Sequence, residues 1–305
     1  VRKLLTLAVS LIFVLSLTVA SYAQMTGDEI IQKYLENTGG MENYQNLKTL
    51  KMEGKSFLGQ ASGDIVLAQM APNKHYMKWS SPQFEVLVAS DGEQIWSKYP
   101  TVPGYIFAEE EDLPKELEKM RISPYIDYKE RGAKAELVGE EKVKGQDVYN
   151  VRYIQAAGDT TNLYFAKSNF YLLKASSPQG EQVYEKYKEV DGFTMPHKMT
   201  SSQAGQRIMT VLTSIEINPE LADSLFAAPP DSLRAPQEIV DQLKAQQEAA
   251  QKAAEEKAKQ VEDETEKAAE EKVKQTEEQT EKAVEEKAKQ IEEGTLKPEE
   301  GKQEE

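Results

Sequence analysis

From Leu47 to Asn218 the chain alternates apolar and polar residues and interrupts the alternation with closely spaced turn signals. Asp91-Gly92, Lys144-Gly145, Gly158-Asp159, Gln179-Gly180, Asp191-Gly192 and Ala204-Gly205 are such signals. Their glycines accept the positive φ that tight hairpin turns demand, and from Lys144 onward their spacing approaches the roughly 8–12 residues of an antiparallel meander. Side chains along a strand point to alternate faces. Leu50 and Met52 therefore share a face opposite Lys51 and Glu53, and Tyr149, Val151 and Tyr153 share one opposite Val148, Asn150 and Arg152. Met209, Val211, Thr213, Ile215 and Ile217 mark a last long strand, which Asn218-Pro219 stops. Ten or more antiparallel strands with only two helices exclude a parallel α/β sheet. A twisted sheet of that size closes or curls. The expected fold is mainly β (α+β), an incomplete antiparallel β-barrel capped by helices.

The two helices have separate signals. Thr26 followed by Glu29 is a capping box, and Ile30, Ile31, Tyr34 and Leu35 then fall on one face before Thr38-Gly39-Gly40. Glu109 to Arg121 reads as a second amphipathic helix with Leu113, Leu117 and Met120 on one face. Its acidic first turn suits the positive end of the helix dipole. Between the strands and this helix lies the loop Tyr99 to Ala108, with Pro100, Pro103 and Gly104 as breakers and Val102, Tyr105, Ile106 and Phe107 as apolar residues.

Pro229-Pro230 reads as the end of the β domain, and composition changes after Pro236. Residues 24–230 are expected to form the β domain, 231–236 a linker, and 237–305 a charged helical tail. From Pro236 onward there are 22 acidic and 12 basic residues, so this stretch carries −10 of the net −15. Lys252–Glu266, Lys267–Glu281 and Lys282–Leu296 repeat one another with a period of 15. That period is slightly more than 3.6 residues per turn and favours a right-handed supercoil. Glu255–Lys259, Glu270–Lys274 and Glu285–Lys289 are favourable pairs four residues apart. The seam (Ala258, Val261, Thr265, Ala269, Val273, Thr276) lacks large apolar residues, so the expectation is a monomer with only weak tail-mediated association.

Residues 1–23 read as a signal peptide. Arg2 and Lys3 precede an apolar run from Leu4 to Val19, and Ser21-Tyr22-Ala23 sets small residues at the cleavage positions. Export to the periplasm with cleavage after Ala23 is expected. No cysteine is present, so disulfides, thiolate nucleophiles and zinc–thiolate sites are excluded. An acidic chain repels nucleic acid. The two histidines, His75 and His197, have no carboxylate beside them in sequence, and no phosphate loop or nucleophile elbow is present. Neither an enzyme nor a cofactor is expected.

One segment carries a family resemblance. Ala71 to Trp96 reads as two strands separated by Ser81-Pro82, then Val88-Ala-Ser-Asp-Gly-Glu-Gln-Ile-Trp96. Downstream come Gly192-Phe-Thr-Met-Pro-His197 and the closing Leu225-Phe226-Ala-Ala-Pro-Pro230. In that order these pieces resemble the LolA family of periplasmic lipoprotein carriers, over roughly Thr26 to Pro230. The resemblance implies a half-barrel that shelters acyl chains of lipoproteins or other lipids in outer-membrane lipoprotein sorting. The implied partners are those acyl chains, an inner-membrane exporter and an outer-membrane acceptor. It also brings a departure. The family's arginine before the strand-starting proline, which latches the lid, is Ala71 here.

The expected inward residues are Leu50 and Met52, Met77 and Trp79, Val86 and Val88, Trp96, then Tyr149, Val151, Tyr153 and Phe165. With the resemblance they become a candidate hydrophobic ligand cavity; without it they are an ordinary core. The corresponding lid is Val102, Tyr105, Ile106 and Phe107 followed by Leu113, Leu117 and Met120. The alternative function is a non-enzymatic periplasmic sensor or adaptor that uses the tail as a partner-binding rod.

Overall fold

The computed structural model describes residues 25–253 except Ala204, Gln247, Ala250 and Gln251. The signal-peptide reading, the cleavage site and the repeats beyond Ala253 lie outside the described residues. Contacts divide the chain into two compact units, Val1–Asp241 and Gln242–Glu305. The described residues of the second unit are helical.

The described part of the first unit opens with helix α1 (Gly27–Thr38). The Thr26 hydroxyl accepts from the Glu29 N–H at 3.2 Å, and the Glu29 carboxylate accepts from the Thr26 N–H at 2.7 Å, which closes the capping box. Ile30, Ile31 and Leu35 are buried. A short helix absent from the sequence reading, α2 (Met41–Asn46), follows Gly40, whose φ of 82° makes the turn between them.

Among the described residues, thirteen strands form one antiparallel sheet. β1 (Thr49–Leu58), β2 (Ala61–Met70), β3 (Lys74–Ser80), β4 (Glu85–Ser90), β5 (Ile95–Lys98) and β6 (Ile106–Phe107) run outward from the middle to one edge. β7 (Lys134–Val143), β8 (Gln146–Ile154), β9 (Thr160–Ala166), β10 (Leu172–Ser177), β11 (Gly180–Val190), β12 (Phe193–Gln203) and β13 (Gln206–Ile217) return from the other edge, and β13 pairs with β1. Lys144-Gly145 and Asp191-Gly192 have positive φ at both residues, the geometry that matches hairpin turns to strand twist. Asn218 locks the β1–β13 seam. Its side-chain oxygen accepts from the Lys48 N–H at 2.7 Å and the Thr49 N–H at 3.2 Å, and its amide donates to Asn46 O at 3.1 Å.

A bulge in β13 splits the apolar alternation expected there. Gly54 lies opposite Leu212 whereas Glu53 lies opposite Ser214, so Thr213 is the extra residue. Leu212, Ile215 and Ile217 consequently join Leu50 and Met52 in one cluster. Met209 and Val211 stand opposite Phe57 and Lys55, on the other face.

Edges β6 and β7 do not pair with each other, so the barrel is open. Residues 108–133 connect them and contain the third helix, α3 (Leu113–Lys119). This helix is shorter than the expected Glu109–Arg121, with Asp112 as its N-cap and Pro114 in its first turn. Lys119 Nζ meets Asp159, in the β8–β9 turn, at 3.6 Å, while Gln69 Nε2 on β2 donates to Met120 O at 3.2 Å. β2 and β9 are six strand spacings apart, about 29 Å on a flat sheet. Two adjacent residues with their side chains do not bridge that span. The sheet is therefore curled, and residues 108–133 strap its concave face.

Candidate functional site: the concave face of the sheet

Directly opposed residues on neighbouring antiparallel strands share a face. Register thus assigns each candidate. Leu50, Met52, Met77, Trp79, Val86 and Val88 lie on one continuous face. The pairs Met52–Leu67, Leu67–Met77 and Met77–Val88 run across four strands, and Ile65–Trp79 and Trp79–Val86 form the next row. Ile65 and Leu67, which the sequence reading left out of the site, belong to these rows. Leu50 is buried beside Leu212 and Ile215, whereas Met52, Ile65, Leu67, Met77, Trp79, Val86 and Val88 are half-exposed. The Trp79 ring packs on Phe84 with centroids 5.0 Å apart.

Tyr149, Val151, Tyr153 and Phe165 occupy the same face but under cover. Val151 and Phe165 are fully buried in the cluster built by Ile30, Ile31 and Leu35 of α1. Tyr34 lies 5.4 Å from Phe165 and 5.8 Å from Tyr125, and Tyr125 lies 5.5 Å from Tyr153. Burial holds the phenols of Tyr34 and Tyr125 well above their usual range and pushes Tyr184 up to about 12. The concave face is therefore divided. Around Val151, Tyr153 and Phe165 it is closed by α1 and the strap; over β1–β4 it keeps a partly buried apolar surface.

Trp96 does not join the site. The β4–β5 connection sets Ile95 opposite Ser90, so Trp96 stands opposite Ala89 on the convex face. A register difference of one residue exchanges the faces. Ile95, buried, takes the inward place expected of Trp96. On the convex side Trp96 packs against Phe107, and the guanidinium of Arg234 lies 3.7 Å from the Phe107 ring centroid.

The loop expected as the first part of the lid is fixed to the edge of the fold. Ile106 and Phe107 form β6 and pair with Ser97 and Trp96. The Tyr105 N–H donates to Leu233 O at 2.8 Å, and the Ala235 N–H donates to Tyr105 O at 2.8 Å. Val102 is buried. Ile106, opposite Ser97, which itself opposes Val88, is on the concave side, and Phe107, opposite Trp96, is on the convex side. The same bonds correct the expected linker. Leu233, Arg234 and Ala235 are stitched to the β domain, and Val240 is buried (7% exposed).

Leu113, Leu117 and Met120 are half-buried on the strap. They lie on the side of α3 away from Lys115 and Lys119, which pair with Asp159 at 3.1 and 3.6 Å. Ile122 of the strap packs into the Leu50–Ile215 cluster. Ala71 makes no side-chain latch. Its neighbour Pro72 accepts from the Ile122 N–H at 3.2 Å, so the strap is tied here by backbone. Arg131 supplies the strap's own clasp. It donates to Glu118 at 2.9 Å, to Pro124 O at 2.7 Å and to Ile126 O at 2.5 Å, and pairs with Asp127. No local pattern in the sequence singles out Arg131, because two of its four partners are backbone carbonyls and Glu118 is 13 residues away.

His75 stands on the concave face opposite Gln69 and Ser90. Burial lowers its imidazole to about 4. His197 is on β12 and lies 3.1 Å from Met195 O through Nδ1.

No family model matches the sequence, and no curated protein matches it. Solved structures do. A DUF1329 family protein from Desulfovibrio piger superposes with a TM-score of 0.50 at 13% identity, covering 68% of this chain and 99% of that one. A putative outer membrane lipoprotein-sorting protein domain from Vibrio parahaemolyticus has a TM-score of 0.47 at 15% identity, with 66% and 95% covered. A LolA superfamily protein from Nitrosomonas europaea has a TM-score of 0.46 at 13% identity, with 67% and 99% covered. At 13% identity the first likeness is one of fold alone: a mainly antiparallel sheet with few helices, shared over the whole length of the Desulfovibrio protein.

Proposed function

We propose that the protein is an exported carrier that binds acyl chains without chemistry, working in the periplasm in lipoprotein sorting. One observation carries the reading. α1 covers only part of the concave face, and over β1–β4 Met52, Leu67, Met77, Trp79, Val86 and Val88 form an apolar surface that is only partly buried. A sheet that needed this surface only as core would bury it. Each acyl CH₂ withdrawn from water gains about 0.8 kcal/mol, so even one chain of ordinary length has a strong reason to occupy such a surface. Methionines among the aliphatic and aromatic residues adapt to flexible chains. The resemblance to lipoprotein carriers supports the same reading and supplies its partners: the acyl groups of a lipoprotein or lipid, a donor in the inner membrane and an acceptor in the outer membrane. Native mass spectrometry of protein purified from the periplasm, followed by solvent extraction, is expected to reveal bound acyl lipid. Protein recovered free of lipid, and unable to take up a fluorescent fatty acid, would instead favour the adaptor.

A further inference from the structure

The concave face changes character along one row. Leu58, Ile208, Ser201, Gln182, Ala175 and Leu163 stand opposite one another across successive strand pairs from β1 to β9. Leu58 and Ile208 are apolar and exposed (37% and 38%), and the next two, Ser201 and Gln182, are polar and half-exposed. Ser201 and Gln182 line a cavity of about 790 Å³ between the strand ends and α3, together with Thr161 and Ser177. That volume lies in the range of small-molecule sites. The charged groups of its lining are matched to partners. Lys115 and Lys119 pair with Asp159, Lys119 pairs with Glu116 at 2.7 Å, and Glu181 pairs with Lys174 at 3.0 Å. What remains for a ligand is a set of neutral hydroxyls and amides that both donate and accept.

We infer that this cavity is a headgroup subsite for an uncharged, hydroxylated group, such as a glycerol or sugar, on the lipid whose chain lies on the apolar half. The inference rests on the carrier reading and adds the class of lipid to it. Ile208 and Gln182 are two strand spacings apart, about 10 Å. A single amphiphile therefore spans the boundary with its chain on one side and its head on the other. A phosphate or ammonium head would find each charge of the lining already neutralised, whereas alcohols exchange hydrogen bonds with water for equivalent ones here.

The test uses monolauroylglycerol, methyl laurate and free glycerol in titration calorimetry against the intact protein. Two or three neutral hydrogen bonds predict a preference on the order of tenfold for monolauroylglycerol over methyl laurate. Glycerol alone is expected to bind too weakly to detect. In the double variant Gln182→Leu, Ser201→Val the preference should fall to near parity while methyl laurate binding holds or tightens, which also reports that the domain is folded. Equal affinity for the two esters in the unaltered protein would overturn the inference, as would a preference that survives the double substitution or an equal loss of both ligands. Tight binding of glycerol alone would assign the cavity to a free polyol and overturn the lipid source. If neither ester binds the unaltered protein, the carrier reading falls and the subsite falls with it.

Discussion

Val88 and Phe165 share a face of one sheet but differ in what lies above them, and that difference is measurable. Val88 is half-exposed on the apolar surface, whereas Phe165 is fully buried under α1. Val88→Glu is expected to leave a folded domain with sharply weaker acyl binding, because the carboxylate keeps access to water but spoils the apolar contact. Phe165→Ala should cost about 3–5 kcal/mol of stability. Denaturant melts paired with fatty-acid titrations separate the two; unfolding by Val88→Glu would mean that its surface is core. His75 gives a pH signature. Its imidazole titrates at about 4 when folded and near 6.5 when unfolded. Above pH 6.5 both states are neutral and this contribution to stability is complete. Between 6.5 and 4 the unfolded chain takes up a proton that the folded one refuses, so stability declines, by about 2–3 kcal/mol at the lower end. His75→Gln should flatten that part of the stability–pH curve, and an unchanged curve would show that His75 is not its source.

Among the elements, the strap of residues 108–133 crosses the concave face and is the one to test for control of access. Its clasp is Arg131, which gathers Glu118, Pro124 O, Ile126 O and Asp127 around one guanidinium. Hydrogen bonds to a charged group are worth roughly 1.5–3 kcal/mol each. Arg131→Met keeps the stem but removes the fork. Hydrogen exchange should then accelerate across residues 118–131 with the β8–β9 core still protected, and a bound fluorescent fatty acid should leave faster. Unchanged exchange would assign the strap's closure to the backbone tie at Pro72 and to the Ile122 contact. Ala71 makes no side-chain latch, and the strap is instead fastened by Arg131 and by the backbone bond at Pro72.

For the whole unit, the place where the fold ends is the point of contrast. Pro229-Pro230 reads as its last signal, but the chain continues as part of the fold through Leu233, Arg234 and Ala235 to Asp241. Two truncations test this. A chain ending after Pro230 loses both Tyr105 backbone bonds, the Arg234–Phe107 contact and buried Val240, whereas one ending after Asp241 keeps them. The shorter chain is expected to melt several degrees lower, since a domain of this size shifts by about 2–4 °C per kcal/mol. Equal melting temperatures would restore residues 231–236 to the status of a linker.

Much of the architecture was legible in the residues themselves. The capping box at Thr26, the glycine-bearing hairpin turns and the period-two alternation are short-range features, and short-range geometry decides them. A long antiparallel sheet with few helices followed directly. The division of the inward residues did not. Tyr149 and Val151 alternate just as Met77 and Trp79 do, and nothing within a strand says which pair a helix will cover. α1 packs on β7 and β8, about a hundred residues away in sequence, and that docking is what turns one half of the face into core and leaves the other half half-exposed. Trp96 was misplaced for a related reason: alternation gives the period of a strand, while the connection from β4 sets its phase. The polar end of the trough was equally invisible, because Ser201 and Gln182 look like solvent-facing positions until neighbouring strands align them with Ile208. Local sequence chose the strands and turns; register and the crossing of the strap, which depend on contacts far apart in the chain, decided which faces meet and what they can hold.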